Sequence, residues 1–538
     1  MLGRAAVAEG TAVVFGVVDQ MDAPVVQEAC ARAGVRCMFA RTAHGAVAMA
    51  DGYSRASGRV GVCVLGMDLA LTSGATALVT AVRRRSRVVV LTEDVCCLSL
   101  AGAVGAAVVT VGSGDARSVM EDLRVAFESA RLGVPAVLQV PRGVVVASGG
   151  AARYVPTLAG VSEQRVRPDP LLVARAVELI GRCERPVVLA GRGAVVSGAG
   201  GDIAGLADCL GAPLATTLQA KGLFAGHEHA IGIAGGFGTA ASAAVFARAD
   251  CVIAFGASLN YYQTKKGRLF ADARVIQVER DADRVGNALD VDIALLGDAR
   301  AAVGALVEGL GGGPSRSAWF VEGYQAAEAV DDGSAAYVEA DDGLDPREVM
   351  DIFERALPAD RTVVLDAGHF TSFAIDAIGV PDPAAFIDCC DFGSISIALA
   401  LSIGAAVGAP GRRCIAFMGD GAFTMTAAEL DTVARYGVPL TVIVINDNAY
   451  GGELRQLEMK GTTSPAVLFA NPDFADLARS FGLNAERITD ATRLAEIASQ
   501  DQQPTGQPLF LDVIVTQSVR FRYHPLIEEM RAERERQP

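Results

Sequence analysis

The chain has 538 residues, 51% of them hydrophobic, and a chain of this length is expected to form about three or four domains. Its formal net charge of −15 disfavours a nucleic-acid partner, because the sequence offers no large basic surface to phosphates. Eleven cysteines without a Cys-x-x-Cys pair argue for reduced thiols and against structural zinc, and no leader or membrane-spanning apolar run is found, so we expect a cytoplasmic protein.

The first part of the chain, residues 1–160, alternates short apolar strands with helical segments. Strands are predicted at 60–65, 87–91 and 136–140. This alternation is typical of a parallel sheet covered by helices. We therefore expect a first α/β domain here.

A second part repeats the alternation after a polar connection that contains three prolines. Strands are predicted at 186–190, 212–216, 251–255 and 274–278, which indicates a second α/β domain at 170–310. A glycine-rich run and an acidic stretch to residue 345 predict a surface linker. The strand that enters a glycine turn at 189–193 is too weak a signal for a dinucleotide site, so FAD is not predicted.

The third part, residues 345–538, contains two acidic motifs at the ends of two predicted strands. The strand at 413–418 precedes Gly419, Asp420 and Gly421, and the strand at 440–445 precedes the motif 446–448, NDN. Twenty-four residues separate the two motifs, and 427–436 among them has helical periodicity. Because both carboxylates follow strands of one α/β unit, they are expected to converge on one point, where Mg²⁺ prefers carboxylates and phosphate oxygens.

This arrangement resembles the thiamine-diphosphate enzymes that include acetolactate synthase, benzoylformate decarboxylase and pyruvate decarboxylase, and the resemblance covers nearly the whole chain. It implies three parallel-sheet α/β domains. In chain order, the first binds the pyrimidine of the cofactor, the second is the central domain and the third binds the diphosphate. It also implies that Asp420, Asp447 and the backbone carbonyl of Ala449 bind magnesium. The family usually has Asn at the position of Asp447, so this chain places one more negative charge against the diphosphate.

The resemblance further implies contacts to thiamine diphosphate. The segment 391–395, DFGSI, is similar to the family segment beneath the bent cofactor, in which the Gly393 carbonyl accepts from the 4′-amino group and Ile395 lies between the two rings. Alternatively, Ile395 only begins a buried helix. In the segment 366–371, DAGHFT, His369 contacts phosphate or substrate, or it is a structural histidine. The other expected cofactor residues are Gly368, Gly419, Gly421, Ala422, Phe423 and Tyr450.

The segment 41–53, RTAHGAVAMADGY, is similar to the pyrimidine-domain motif of the family, but Ala43 stands where nearly all members have glutamate. That carboxylate promotes the tautomer of the cofactor that removes the proton from its reactive carbon. General acid–base assistance contributes typically about 10²–10⁴-fold, so its loss would slow the enzyme severely. Glyoxylate carboligase is a family precedent for activity with an apolar residue here. Water or the neighbouring His44 could replace part of the function, and we expect water to do so.

Three further features concern the substrate. The segment 66–76 departs from the usual Gly-Pro-Gly turn of the family and indicates an unusual substrate pocket. Glu453 stands where some decarboxylases of the family have a substrate-facing glutamate, and burial beside the cofactor would raise its pKa and let it donate a proton. Alternatively, Glu453 is a helix N-terminal acid favoured by the helix dipole. Arg455 and Lys460 could attract a substrate carboxylate.

The resemblance implies a homodimer or homotetramer with each cofactor between the first domain of one chain and the third of another. A 2-oxo acid would add to the ylide of the cofactor and lose carbon dioxide, and the resulting enamine would be protonated or would add to a second carbonyl compound. We favour acetolactate-synthase-like carboligation. The alternatives are an aromatic 2-oxo acid decarboxylase, a 2-hydroxyacyl-CoA lyase and a non-catalytic, cofactor-binding regulatory homologue.

Overall fold

The computed structural model describes residues 1–18, 22–66, 70–93, 98–112, 116–141, 154–156, 165–311, 319, 336–504 and 506–521. These residues belong to two compact units. The described residues of 1–159, 338–378 and 387–519 form the first unit, and those of 160–337, 379–386 and 520–538 form the second. The described residues of 1–159 therefore pack in one unit with most of those from 338 to 519.

The first sheet has six strands in the order β2-β1-β3-β4-β6-β5, and they pair in parallel. The predicted strands at 60–65, 87–91 and 136–140 correspond to β3, β4 and β6. The strands are β1 Val13–Val17, β2 Arg36–Ala40, β3 Gly61–Leu65, β4 Val88–Thr92, β5 Ala107–Thr110 and β6 Ala136–Gln139. The helices are α1 Leu2–Ala8, α2 Asp22–Arg32, α3 Ala43–Ser57, α4 Ala70–Ser73, α5 Ala75–Arg84, α6 Leu98–Ala103 and α7 Ala116–Arg131.

The second sheet is also parallel, in the order β12-β11-β10-β7-β8-β9, and forms most of the second unit. Its strands are β7 Pro186–Ala190, β8 Leu214–Thr216, β9 Ala230–Ile233, β10 Cys251–Phe255, β11 Arg274–Glu279 and β12 Ile293–Leu296. Its helices are α8 Pro170–Arg182, α9 Arg192–Val196, α10 Gly200–Leu210, α11 Ala240–Arg248, α12 Tyr261–Thr264 and α13 Ala299–Leu310. The predicted linker up to residue 345 lies largely outside the described residues.

The third sheet has the order β14-β13-β15-β16-β18-β17, with parallel pairing from β13 to β17. Its strands are β13 Arg361–Leu365, β14 Phe386–Asp388, β15 Arg413–Gly419, β16 Leu440–Asn446, β17 Asn484–Ile488 and β18 Leu509–Ile514. Its helices are α14 Pro346–Ala356, α15 His369–Ala377, α16 Ala398–Gly408, α17 Asp420–Thr426, α18 Leu430–Tyr436, α19 Gly451–Met459, α20 Phe474–Ser480 and α21 Ala491–Gln500. The prediction of three parallel α/β sheets is confirmed.

Helices α3 and α16 join the first and third sheets in the core of the first unit. Their backbones approach closely at two glycines: a Cβ added to Gly52 would lie 1.9 Å from the Leu401 carbonyl oxygen, and one added to Gly404 would lie 1.9 Å from that of Met49. Only residues without a side chain allow such an approach. The position of α3, and with it the position of Ala43 at its first turn, therefore depends on this contact.

Helix α3 begins and ends with ordinary capping signals. The Thr42 hydroxyl accepts a hydrogen bond from the Gly45 amide at 2.9 Å, and Gly58 ends the helix with a φ of 69°.

None of the helices in the described part of the chain is both long and apolar enough to cross a membrane.

Candidate cofactor site

The two acidic motifs lie side by side at the carboxyl edge of the third sheet. Strands β15 and β16 are parallel neighbours, with Gly419 in register with Ile445, so Asp420 and Asp447 follow adjacent strands directly. Ligands of open parallel sheets bind at this edge. The structure therefore brings together the two carboxylates that the sequence analysis paired.

Asp420 is buried, with 1% of its surface exposed. Its Oδ1 accepts from the Gly421 amide at 2.8 Å and its Oδ2 from Asn471 Nδ2 at 2.7 Å. Burial raises the pKa of Asp420 to about 6, although these donors and the amides of Asn448 and Ala449 act in the opposite direction. Several donors thus point at one carboxylate, which holds it in place.

Asp447 lies close enough to Asp420 for their charges to interact. Burial and then the charge of Asp420 raise its pKa to about 7. Its Oδ1 accepts from the Ala449 amide at 3.2 Å, while a Cβ added to Gly451 would lie 2.6 Å from its Oδ2. A divalent cation between the two carboxylates would relieve their repulsion, and the oxygen ligands suit magnesium. The residues present therefore fit a magnesium ion, with the carbonyl of Ala449 as the proposed third ligand.

A hydrogen-bond network behind the two carboxylates has no counterpart among the sequence motifs. Asn471 Nδ2 also donates to Asn446 Oδ1 at 3.0 Å, and Asn446 Nδ2 donates to Asp512 Oδ1 at 2.9 Å. Gln517 Nε2 donates to the Asp447 carbonyl at 2.5 Å. An Asn-Pro pair such as the one before α20 is typical of a turn, but no sequence signal connects Asn471 with a carboxylate 51 residues away.

The glycines around the site let neighbouring side chains approach the backbone closely. A Cβ on Gly421 would lie 2.4 Å from the ring of Tyr450, and one on Gly451 would lie 3.2 Å from the Cβ of His369. Tyr450 packs edge-on against Phe469, and Gly368 precedes His369 at the start of α15. His369 and Tyr450 thus flank the two carboxylates, and Gly419 ends β15 beside them.

Ala422 and Phe423 have buried side chains. Phe423 packs against Phe474 and Phe510, with ring centroids 5.0 Å apart in both pairs. Its side chain is therefore part of the core, which leaves only its main chain for the predicted cofactor contact.

The segment that leads into α16 is held by Asp366. The carboxylate of Asp366 accepts from the amides of Ser396 at 2.9 Å and Ala398 at 3.0 Å, and burial raises its pKa to about 6. Gly393 has a φ of 76°, and 36% of the surface of Ile395 is exposed. Within one chain Ile395 precedes the buried helix α16 without being buried itself.

Ala43 lies at the first turn of α3 and is 7% exposed. A carboxylate does lie near this turn: Glu429 accepts from the Thr42 amide at 3.1 Å, the Thr42 hydroxyl at 3.0 Å and the Thr432 hydroxyl at 2.8 Å. It also accepts from the Arg41 amide at 3.2 Å. Because four donors engage Glu429, it orders the start of α3 and is not a free base.

His44 is partly buried, and its Nε2 has no hydrogen-bond partner among the described residues. Burial lowers its pKa, an effect that a hydrogen bond with the Ser396 backbone partly offsets. Burial therefore favours the neutral form of His44. Of the unusual segment 66–76, residues 67–69 lie outside the described part of the chain.

Glu453 lies in the first turn of α19, a place that fits both the proton-donor and the helix-dipole interpretation. Arg455 is buried: its guanidinium contacts Glu458 at 2.9 Å and donates to the Gln517 carbonyl. These contacts tie Arg455 to the protein itself. Lys460 caps the end of the same helix.

Comparison with known proteins agrees with this geometry. Models of the thiamine pyrophosphate enzyme family match residues 1–98 (N-terminal TPP binding domain), 173–306 (central domain) and 366–513 (C-terminal TPP binding domain). A probable acetolactate synthase large subunit of Methanocaldococcus jannaschii is 27% identical over 95% of this chain and 90% of its own length. The acetolactate synthase large subunit of Parasynechococcus marenigrum is 29% identical over 87% of this chain and 78% of its own.

A sulfoacetaldehyde acetyltransferase of Alcaligenes xylosoxydans xylosoxydans is 28% identical over 95% of this chain and 92% of its own length. The full-length similarity, the three matched domains and the three parallel sheets all point to one family. The chain therefore belongs to the thiamine pyrophosphate enzymes and is a thiamine-diphosphate-dependent transferase or lyase.

Proposed function

We propose that this protein decarboxylates a 2-oxo acid and transfers the remaining acyl unit to a second carbonyl compound, as in acetolactate synthesis. The observation that carries the proposal is the pair of adjacent carboxylates, Asp420 and Asp447, which donors hold at the carboxyl edge of the third sheet. Three relatives named as synthases or an acetyltransferase favour transfer over simple decarboxylation.

The proposed residues divide into those that hold the cofactor and those that act on protons. Asp420, Asp447 and the Ala449 carbonyl would hold Mg²⁺ on the diphosphate, with Gly368, His369, Gly421 and Tyr450 around it. When bound, thiamine diphosphate supplies the electron sink for decarboxylation. The protein contributes position and electrostatics.

Proton transfer at the first domain is the unusual part of the proposal. Ala43 has no titratable group, and the nearby Glu429 is engaged by four donors. Water therefore carries the proton away from the cofactor, with neutral His44 as the remaining side-chain candidate. Glu453, in the first turn of α19, is the proposed proton donor to the product side.

The active site is proposed to lie between two chains of a homodimer or homotetramer. The exposure of Gly393 and Ile395 supports this, because the residues expected beneath the cofactor are left uncovered within one chain. We propose that residues 1–160 form the pyrimidine-binding domain, 170–310 the central domain and 345–538 the diphosphate-binding domain. We also propose that the enzyme is cytoplasmic.

Mass-spectrometric product analysis tests the proposal. The protein is incubated with Mg²⁺, thiamine diphosphate and a pool of 2-oxo acids and aldehydes, beside a sample without cofactor and an Asp420→Asn variant. We expect new ligation products only in the complete sample. Aldehydes alone would replace the proposal with a decarboxylase, and no consumption despite bound cofactor would overturn it.

A further inference from the structure

Two histidines and an aspartate lie together in the second unit, in a part of the molecule that the proposed reaction does not use. Asp208 is near the end of α10, and His227 and His229 are in the turn that leads into β9. The side chain of Asp208 is 53% exposed, while those of His227 and His229 are 23% and 16% exposed. The cluster is therefore open to solvent on the aspartate side and enclosed on the histidine side.

The spacing of the three side chains is wider than that of direct charge-assisted hydrogen bonds. His227 Nε2 and His229 Nδ1 each lie 3.4 Å from Asp208 Oδ1. A direct charge-assisted hydrogen bond is shorter, about 2.7–2.9 Å. In contrast, two ligands of a tetrahedral zinc ion with bonds of about 2.1 Å lie about 3.4 Å apart. Both histidine–aspartate separations thus match the spacing of two ligands on one zinc ion.

We propose that Asp208, His227 and His229 bind one divalent transition-metal ion, preferentially Zn²⁺, with water in the fourth position. Two imidazole nitrogens and a carboxylate oxygen are a donor set that zinc accepts, and all three ligand atoms lie within 4.8 Å of one another. The pair Asp420 and Asp447 differs, because its ligands are all oxygen and suit magnesium. The expectation against structural zinc came from cysteine spacing, and this site contains no cysteine.

Metal binding requires a small rearrangement of the turn. The His229 amide donates to His227 Nδ1 at 3.1 Å, so the neutral ring of His227 has its proton on Nε2, facing Asp208. A metal ion on Nε2 moves that proton to Nδ1, and the His229 amide then loses its acceptor. Gly226, at a φ of 77°, precedes His227 and gives the turn the freedom to adjust.

The bound ion would fasten the edge of the second sheet. Strand β9 is the edge strand, beside β8, and the Leu214 amide donates to the His229 carbonyl at 2.7 Å between them. The ion would connect this strand entry to the end of α10. We expect a structural effect, seen as higher thermal stability, because a ligand that binds only the folded state stabilises it.

Cobalt absorption and thermal unfolding of the full chain test the site. After chelator treatment, one equivalent of Co²⁺ should bind with the absorption spectrum of four-coordinate nitrogen and oxygen ligation. Zn²⁺ should displace this Co²⁺. Zn²⁺ should also raise the melting temperature of the protein. The variants Asp208→Asn, His227→Gln and His229→Gln should each weaken binding at least about 10-fold. Circular dichroism of each variant verifies folding, and the half-exposed Asp208 is the position that tolerates change best.

Two controls separate this site from other metal-binding groups. Glu228→Gln changes an adjacent, 85% exposed carboxylate that lies 4.0 Å from His229 Nε2, and it should leave binding unchanged. The double variant Asp420→Asn, Asp447→Asn should also retain the cobalt spectrum. Thiolate charge-transfer absorption, unchanged binding in His229→Gln, or no cobalt spectrum would each overturn the proposal.

Discussion

The first and third sheets of this protein present opposite chemistry at the two places where the family is expected to contact its cofactor. The edge of the third sheet has two carboxylates, and Asn471 together with main-chain amides holds them. The start of α3 beside the first sheet has Ala43, and its neighbouring carboxylate, Glu429, is engaged by donors. The proposed function therefore assigns holding the cofactor and activating it to different parts of the chain, and only the second part lacks the group that the family usually has.

The largest expected effect is a loss of cofactor affinity when a carboxylate at the edge of the third sheet is replaced. Asp420→Asn keeps the shape of the side chain but removes a charge that faces the proposed cation. We expect Mg²⁺-dependent binding of thiamine diphosphate, measured by calorimetry, to weaken by more than about 100-fold. The exposed Asp476→Asn serves as the control, and equal affinities in the two variants would contradict the assignment of Asp420.

The second-largest expected effect is faster proton exchange at the cofactor when glutamate replaces Ala43 at the start of α3. Ala43→Glu should speed hydrogen–deuterium exchange at the reactive carbon of the bound cofactor by about 10²-fold, the lower end of general acid–base assistance. Nuclear magnetic resonance of quenched samples measures the exchange. Ala43→Gln, which has the same size without the acid, should exchange as slowly as the parent protein. Unchanged exchange in a folded Ala43→Glu variant would count against this account.

A smaller effect is expected from the amide behind the metal site. Asn471→Ala removes the donor to Asp420 and leaves both carboxylates in place, so the Mg²⁺ concentration needed for cofactor binding should rise about 10–100-fold. The exposed Asn484→Ala is the matched control. If the magnesium dependence stays the same in Asn471→Ala, the hydrogen bond of 2.7 Å does not position Asp420.

The last prediction concerns the helices that connect the two sheets. Gly404→Ala would place a Cβ 1.9 Å from the Met49 carbonyl oxygen, which forces α3 and α16 apart. Overpacking of this kind typically lowers the free energy of unfolding by about 1–3 kcal/mol. Chemical unfolding of the variant measures this loss. Gly304→Ala in α13, where nothing lies within 4 Å, should instead be stabilising by about 0.5–1 kcal/mol. Equal effects of both changes would show that the close approach is not needed.

Strands were the most predictable part of this fold. The predicted strands at 186–190 and 251–255 coincide with β7 and β10, because short runs of buried apolar residues have few alternatives in an α/β chain. The helix predicted at 427–436 is in fact a 3₁₀ turn, Ala427–Glu429, followed by α18. Periodicity alone did not distinguish a continuous helix from this two-part segment.

The site was predictable only where its residues belong to one local motif. Asp420 and Asp447 each follow a strand, so their convergence could be inferred from the order of elements. Asn471 and Glu429 act on residues 51 and 387 positions away, and only tertiary structure brings them there. Such partners have no local pattern, since an asparagine before a helix or a glutamate inside one is common in any chain.

The contacts of Gln517 affect where this chain can be shortened. Its side chain donates to the Asp447 carbonyl, and its own carbonyl accepts from Arg455 of α19. A protein truncated just before this residue would keep every predicted cofactor residue in its sequence. It would nevertheless lose the hydrogen bond from Gln517 to the Asp447 carbonyl. A fragment that ends at the last strand would therefore lack a contact that positions the loop of Asp447.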